Sequence, residues 1–403
     1  MNGKIFKLKG KVQHYAWGGY DFLPSLLGFK NDEHKPCAEY WMGAHPSASS
    51  ELVTVNGNIS LHALIQRDAS SVITENVFRQ FGELPYLFKI LDVKDMLSIQ
   101  VHPSKIEAEK GFDAEEAAGI PINAPHRNYK DKNHKPEVMV ALSEFWLLHG
   151  FKMPEELERT LQEVYEFNIL LPLFRKEGYK SLYQFVMEMA QTDVDRMLTP
   201  LVKREIRKKQ AGEVTKEHPA WWVGKLFEGK ESFDNIDRGI FSIYFFNIVK
   251  VNRGEAVFQG AGVPHAYLEG QNVELMANSD NVLRGGLTPK HIDVPELLKH
   301  TLFKGIVPNV MKGNTFRTME TNYPCPVPDF GITKIELNGP DMYTAISASL
   351  EIIIAVEGGC VINGSNHTNI VLKQGEAVAV MPGEEYSMES SGHCLLFKAF
   401  VPA

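Results

Sequence analysis

Apolar and polar side chains alternate along residues 97–102. Because successive side chains of a strand point to opposite sides, this pattern predicts a strand with one buried face and one polar face. The apolar face consists of Leu97, Ile99 and Val101. The polar face consists of Ser98, Gln100 and His102. Such a polar face must meet water, a ligand or a metal ion.

Helical spacing replaces this alternation in the middle of the chain. Pro154 is followed by two glutamates, which is typical of a helix start, because proline fits the first turn and acids favour the positive end of the helix dipole. A second helix is predicted to begin at Ser181, where Gln184 completes a capping box. Residues 151–235 are therefore predicted to form a helical insertion. The basic run at 203–209 is interpreted as a solvated helix face.

Short strands separated by turns are predicted for most of residues 1–150, with a helical patch around 60–82. Strand character returns at residues 241–249 and again from about residue 315. The prediction is a mainly β protein that carries one helical insertion.

A faint internal repeat connects the two β-rich regions. The tetrapeptide Gly-Glu-Ala-Val occurs at residues 254–257 and again at 375–378, and a turn and a further strand follow each copy. Glu384 in the second copy stands where His265 stands in the first. Two copies of one β-barrel unit would explain this pattern.

Composition narrows the class of protein. The chain has 403 residues, of which 44% are hydrophobic and 23% charged, and its net charge is −8. This size predicts two or three domains, and the acidic balance argues against a nucleic-acid-binding protein. The N-terminus lacks a secretory signal and no stretch is apolar enough for a membrane span. Four widely spaced cysteines fit a reduced, cytoplasmic protein.

Four side chains form a candidate metal site. Gln100 and His102 project from one strand, Glu137 begins an apolar strand, and His265 follows a tight glycine- and proline-containing turn. One amide oxygen, one carboxylate and two imidazoles suit a divalent metal that keeps a position open for water or substrate.

Two cationic side chains follow a dense polar run at residues 278–281. Arg284 precedes a pair of glycines and Lys290 follows a proline. Arginine offers paired donors and lysine a compact charge, so both could bind a phosphate. The polar run itself is also compatible with an ordinary turn.

At this point the sequence resembles the type I phosphomannose isomerases, zinc-dependent enzymes of the cupin superfamily. The resemblance rests on ordered blocks that are distributed over most of residues 10–300. These blocks are residues 15–18, 38–46, 97–103, 128–131, 134–137, 264–268 and 274–295. It implies a cupin-type (jelly-roll) β-barrel catalytic domain formed by residues 1–150 and 236–314. The helical insertion then spans residues 151–235. A second, C-terminal cupin-like β domain without metal ligands spans residues 315–403.

The resemblance also assigns roles to residues. It implies one zinc ion per chain, held by Gln100, His102, Glu137 and His265. The implied catalytic arginine is Arg284, and the implied pocket lysines are Lys135 and Lys290. Positions that match phosphate-binding or pocket-lining residues of the family are Lys89, Ser98, Tyr267, Glu274 and Asp280.

The implied reaction is the reversible isomerisation of mannose 6-phosphate and fructose 6-phosphate through an enediolate. A base must remove the proton next to the carbonyl, and Lys135, Glu274 and His134 are all candidates. The competing hypotheses are an isomerase of another aldose phosphate, an iron-dependent cupin oxygenase and a non-catalytic sugar-binding protein. The expected partner is a phosphorylated hexose, and the expected state is a monomer or weak homo-oligomer.

Overall fold

The computed structural model describes residues 3–230, 232–340, 342–365 and 368–402. The strands are β1 Ile5–Lys9, β2 Lys11–Gln13, β3 Glu39–Gly43, β4 Glu51–Thr54, β5 Gly57–Ser60, β6 Tyr86–Val93, β7 Gln100–Val101, β8 Glu137–Ala141, β9 Phe145–Phe151, β10 Phe246–Val251, β11 Ala256–Gln259, β12 His265–Ala277, β13 Leu283–Arg284, β14 Asn314–Arg317, β15 Glu320–Tyr323, β16 Gly331–Asn338, β17 Met342–Ile346, β18 Glu351–Glu357, β19 Gly359–Gly364, β20 Asn369–Lys373, β21 Ala377–Val380, β22 Glu385–Glu389 and β23 His393–Phe400.

The helices are α1 Phe22–Leu27, α2 Leu61–Arg67, α3 Ala69–Ile73, α4 Glu75–Phe81, α5 Lys105–Ala117, α6 Pro154–Glu163, α7 Leu171–Glu188, α8 Gln191–Gln210, α9 Pro219–Leu226, α10 Gly239–Phe245 and α11 Val294–His300, with a 3-10 helix at Tyr165–Leu170. The predicted helical patch at 60–82 is confirmed as α2 to α4, and the predicted start at Pro154 is confirmed as α6. Among the described helices, none is both long and apolar enough to cross a lipid bilayer.

One long strand, β12, organises the first sheet. Its first half pairs with β7 and β9, and its second half lies between β6 and β8. The change of partners occurs at Gly270, which has φ +127°. A Cβ on Gly270 would lie 2.6 Å from the carbonyl oxygen of Glu144. Glycine is required here because the bent strand passes this close to another backbone.

The register around β12 brings distant residues together. His265 lies opposite Gln100 on β7, Met276 lies opposite Glu137 on β8, and Glu274 lies opposite Lys89 on β6. In the part of the chain that is described, the order of this sheet runs from β10 to β2 without pairing of its two ends. The sheet is therefore strongly bent but open.

The second sheet combines both ends of the chain. β1 pairs with β21 and with β4, so the order β14-β15-β16-β23-β18-β21-β1-β4-β5 includes strands from residues 5–60 and from residues 314–400. A smaller sheet of order β17-β22-β19-β20 packs nearby. The boundaries at residues 150, 235 and 314 remain a prediction, but the hydrogen bonds between β1 and β21 join the predicted catalytic domain to the predicted C-terminal domain.

Two of the predicted elements are wrong in part. Residues 241–245 lie in helix α10 and only residues 246–249 of the predicted strand are extended. Every residue of α10 is buried, so the segment is apolar on all sides and its periodicity does not separate a helix from a strand. The helix predicted to begin at Ser181 begins slightly earlier, because Gly178 has non-helical angles (φ +75°, ψ −164°) that divide α7, and its second helical segment follows directly after this residue.

Candidate metal centre and active site

Three buried side chains converge from three different strands. His102 follows β7, Glu137 begins β8 and His265 begins β12, and their potential ligand atoms all lie within 4.8 Å of one another. The two carboxylate oxygens of Glu137 lie 3.5 Å from Nε2 of His102 and 3.3 Å from Nε2 of His265. A carboxylate that faces two imidazole nitrogens in this way is a suitable frame for a divalent cation.

Hydrogen bonds on the far side of both imidazoles fix their orientation. Nδ1 of His102 donates to the carbonyl oxygen of Asn281 at 2.8 Å, and Nδ1 of His265 donates to that of Val263 at 2.9 Å. Both Nε2 atoms therefore present a lone pair to the centre. Nε2 of His102 is buried and has no hydrogen-bond partner among the described residues. A metal ion would satisfy this atom, so the donor set fits the predicted cation.

Electrostatics keep these groups in the states that metal binding requires. Burial lowers the pKa of His102 to about 4, so the imidazole is neutral at pH 7. Burial alone would raise the pKa of Glu137, but the positive charge of Lys135 counteracts this effect, and the pKa lies well below its usual value. Nζ of Lys135 lies 3.3 Å from Glu137 Oε1.

Gln100 lies beside this triad. It pairs with His265 on one side and with Arg284 on the other. Directly opposite residues in an antiparallel pair have Cβ atoms roughly 5 Å apart, so its amide can reach the same ion. The assignment of Gln100 as fourth ligand remains a prediction.

A cavity of about 550 Å³ opens in front of the centre. The predicted site residues that line it are Lys89, Ser98, Gln100, Lys135, Asp280, Arg284 and Lys290. This volume is within the usual range for small-molecule sites.

The cations of the cavity differ in how far they are neutralised. Lys89 is buried, with Nζ 3.1 Å from Glu274 Oε1 and 3.4 Å from Glu39 Oε2. Burial alone would lower the pKa of Lys89, but the neighbouring carboxylates raise it overall. The charge of Lys89 is therefore permanent and already compensated.

Arg284 and Lys290 are in a different situation. Neither side chain has a carboxylate within 4.0 Å among the residues described. Burial lowers the pKa of both groups, and Arg284 lowers that of Lys290 further. Two cations that face one cavity without counter-charges favour an anionic ligand.

Three other predicted residues do not line the cavity. His134 turns away, and its Nε2 lies 2.9 Å from Asp329 Oδ1. Glu274 is buried behind Lys89. Tyr267 is buried, with its ring edge-on to Phe145 at 5.2 Å between centroids and its hydroxyl near Glu274 and Glu137.

Several residues without a predicted role also line the cavity, among them Trp17, Glu39 and Trp41. Glu39 and Trp41 are two positions apart on β3, so they share one face of that strand. The sequence contained a signal for these two residues, namely a carboxylate and an aromatic side chain on the same face of a predicted strand. A carboxylate buried at such a position requires a cation or a hydrogen-bond donor as its partner. Asp280, which was predicted, is held 3.3 Å from Nε2 of His45.

Asn281 supports the centre from behind. Its Oδ1 accepts from the backbone N–H of Lys130 at 2.7 Å, and its Nδ2 donates to the carbonyl oxygens of Asp131 and Asn133, both at 2.8 Å. The side chain is almost completely buried, and its own carbonyl holds His102. Asn281 therefore connects the loop before β8 to the imidazole of His102.

The substitution Asn281→Ala is expected to lower the free energy of unfolding by about 2–4 kcal/mol, because buried backbone groups lose their partners. Denaturant unfolding measures the change. The exposed turn residue Asn56 supplies the control, since Asn56→Ala should change stability by less than about 0.5 kcal/mol. Equal effects of the two substitutions would contradict the supporting role.

Comparison with known proteins agrees with this geometry. The family model described as phosphomannose isomerase type I, catalytic domain, matches residues 5–154. Mannose-6-phosphate isomerase of Escherichia coli K12 is 39% identical over 402 residues, which cover 98% of this chain and 99% of the relative. The human protein of the same name is 34% identical over 427 residues, covering 96% and 95%.

Solved structures give the same result for the fold. Mannose 6-phosphate isomerase from Salmonella typhimurium, crystallised with the substrate fructose 6-phosphate and zinc, superposes with a TM-score of 0.86 at 34% identity and full coverage of both chains. The prediction of a cupin-type β fold with a helical insertion is thereby confirmed, with an open rather than a closed sheet. The chain belongs to the type I phosphomannose isomerase family.

Proposed function

We propose that this protein interconverts mannose 6-phosphate and fructose 6-phosphate and uses one zinc ion held by Gln100, His102, Glu137 and His265. The observation that carries the proposal is the buried His102–Glu137–His265 group, whose neighbours Gln100 and Lys135 line a cavity that also contains two uncompensated cations. The relatives are named for this activity, and one was crystallised with zinc and fructose 6-phosphate.

A bound zinc ion would polarise or orient the sugar oxygens as a Lewis acid. The chain supplies the remaining requirements. Arg284 lies next to Gln100 in the sheet, so its guanidinium is suited to stabilising the negative charge that develops on the oxygens at C1 and C2. Lys290 lies at the exposed rim of the cavity, where it would bind the phosphate at the other end of the sugar.

Ser98 and Asp280 line the cavity between these two ends, and both can hydrogen-bond to sugar hydroxyls. Lys89 would contribute to phosphate binding less than its charge suggests, because two carboxylates already neutralise it. Tyr267 does not line the cavity, so it would act on the substrate only indirectly.

The reaction moves one proton between C2 and C1, and a second proton passes between the two oxygens. All three candidate bases have an ion-pair partner, since Lys135 contacts Glu137, Glu274 contacts Lys89 and His134 contacts Asp329. Of the three, Lys135 is the one that lines the cavity. We therefore assign proton transfer at carbon to Lys135. Removal of the cavity water on substrate binding would protect the enediolate.

The function is tested by incubating purified protein with mannose 6-phosphate and measuring fructose 6-phosphate in a coupled assay. Activity should disappear after chelation and return with zinc. A parallel incubation with other aldose phosphates measures preference, and an oxygen electrode detects any oxygenase reaction. Oxygen consumption, or full activity in metal-free protein, would contradict the proposal.

The assignment of the base predicts a ranking of variants. Lys135→Met should slow the uptake of solvent deuterium at C2 by about 10²-fold or more. His134→Gln should change it little, because that ring faces away from the cavity. Glu274→Gln should mainly raise KM, since it disturbs Lys89. Mass spectrometry of the sugar product measures the exchange, and a slower exchange in Glu274→Gln than in Lys135→Met would reassign the base.

We expect the protein to act in the cytoplasm on a phosphorylated hexose, as a monomer or weak homo-oligomer. The residues proposed for the site all come from one chain, which supports this expectation. Sedimentation at several protein concentrations measures the oligomeric state.

A further inference from the structure

A buried hydrogen bond lies next to the metal centre but outside the cavity. Nδ1 of His149 on β9 donates to Oε1 of Gln259 on β11 at 2.7 Å. Both residues are buried, and neither of them lines the cavity. The proposed isomerase reaction gives neither side chain a role.

Both partners of this hydrogen bond are direct neighbours of proposed metal ligands. His149 lies opposite His265 on β12, and Gln259 lies opposite Glu137 on β8. Directly opposite residues of an antiparallel pair point to the same face, with Cβ atoms roughly 5 Å apart. Because Oε2 of Glu137 also lies 3.3 Å from Nε2 of His265, the four side chains form a closed ring of neighbours.

The hydrogen bond connects two parts of the sheet that backbone pairing leaves apart. β9 pairs with the first half of β12, whereas β11 pairs with β8, which lies along the second half. The two halves meet at the bend at Gly270. β9 and β11, both of which are fully described, do not pair with each other. The spacing of His265 and Glu137 therefore depends on the bend, and the hydrogen bond spans it.

Stability alone does not account for this polar pair. Nε2 of Gln259 is buried and has no hydrogen-bond partner among the described residues, which costs free energy. Replacing both partners of a buried hydrogen bond with apolar side chains of the same shape can be nearly neutral. What the polar pair supplies, and an apolar pair would not, is a directional bond between β9 and β11.

We propose that His149 and Gln259 are positioning residues, which hold His265 and Glu137 at the separation that a zinc ion requires. This inference rests on the proposed function, because it assumes the zinc site. The hydrogen bond restricts movement of the two halves of β12 about Gly270, so less conformational freedom is lost when the metal binds. Outer partners of metal ligands contribute about 10–100-fold to metal affinity. We expect the lower end of this range, since the pair acts on the ligands through strand position and not through a direct hydrogen bond.

Two variants with side chains of similar size test the hydrogen bond. His149→Leu removes the donor and should raise the Kd for zinc about tenfold. His149→Asn places an amide nitrogen near the position of Nδ1, so the Kd should stay within about twofold of that of the unmodified protein. Competition with a fluorescent chelator measures the Kd in the full-length protein after its metal has been removed.

Cobalt provides a measurement of ligand geometry that does not depend on activity. The visible absorption of a protein-bound Co²⁺ ion changes with the arrangement of its ligands. The spectrum of His149→Leu should differ from that of the unmodified protein, and the spectrum of His149→Asn should match it. Gln271→Leu is the matched control, because this partly buried amide on β12 donates to Asp92 Oδ1 at 2.7 Å beyond the bend. It should change neither the zinc Kd nor the spectrum.

A second variant keeps the test available if His149→Leu folds poorly. Gln259→Leu removes the same hydrogen bond from β11 and should raise the zinc Kd to a similar extent. An unchanged Kd in these leucine variants would overturn the positioning role. Equal losses in His149→Leu and His149→Asn would also overturn it, because they would follow from packing alone.

The unmodified protein separates this inference from the proposed function. If it binds one zinc ion and isomerises mannose 6-phosphate while the leucine variants bind zinc equally well, only the positioning role fails. If the unmodified protein binds no zinc, the proposed function fails and the positioning role fails with it.

Discussion

Replacing His102 with alanine is expected to remove bound zinc and to lower kcat/KM for mannose 6-phosphate by about 10³-fold or more. The imidazole is completely buried, its Nδ1 is held by a carbonyl, and its Nε2 is directed at Glu137. No neighbouring side chain can replace that nitrogen. The measurement combines zinc content, determined by elemental analysis, with the coupled isomerase assay.

His62 provides the control for this experiment. It is a half-buried histidine whose Nδ1 lies 3.1 Å from the carbonyl oxygen of Ala44, and it does not line the cavity. His62→Ala should keep one zinc ion per chain and most of the activity. If His102→Ala retained stoichiometric zinc and normal turnover, the metal assignment would be wrong.

The second large effect is expected at Arg284. Arg284→Met should lower kcat by about 10²–10³-fold, which is the usual cost of losing one donor to a developing oxyanion. The KM should change much less, because the group acts mainly on charge that appears during the reaction. Steady-state kinetics on the zinc-loaded variant measures both parameters.

Lys290→Met separates the two ends of the substrate. This lysine lies at the exposed rim, so its loss should raise KM about tenfold and leave kcat nearly unchanged. The proposed division of roles fails if Arg284→Met changes only KM, or if Lys290→Met changes only kcat.

The sequence predicted four metal ligands, and the structure brings three of them, His102, Glu137 and His265, together. This was possible because alternation along one strand and the position of a carboxylate at a strand start are local properties. Ile99 and Val101 are indeed buried opposite the cavity face that carries Ser98 and Gln100. Strand register is not local, however. The pairing of Glu274 with Lys89, which separates this carboxylate from the cavity, depends on how two strands align.

The errors have a similar physical origin. Residues 241–245 were predicted as strand because every residue of α10 is buried, and the single serine, Ser242, does not mark a period. The helix predicted from the capping pattern at Ser181 begins about two residues earlier, because the break at Gly178 determines where the second segment of α7 starts. A difference of one or two residues is usual for helix ends.

The pairing of β1 with β21 has a consequence for biosynthesis. Ile5 lies opposite Val380, so roughly 375 residues must be added before the first strand meets this neighbour. At about 5–20 residues per second on the ribosome, that delay is roughly 20–75 seconds. During this interval the nascent chain carries an unpaired edge, and the protein should depend on chaperones that shield such edges until translation ends.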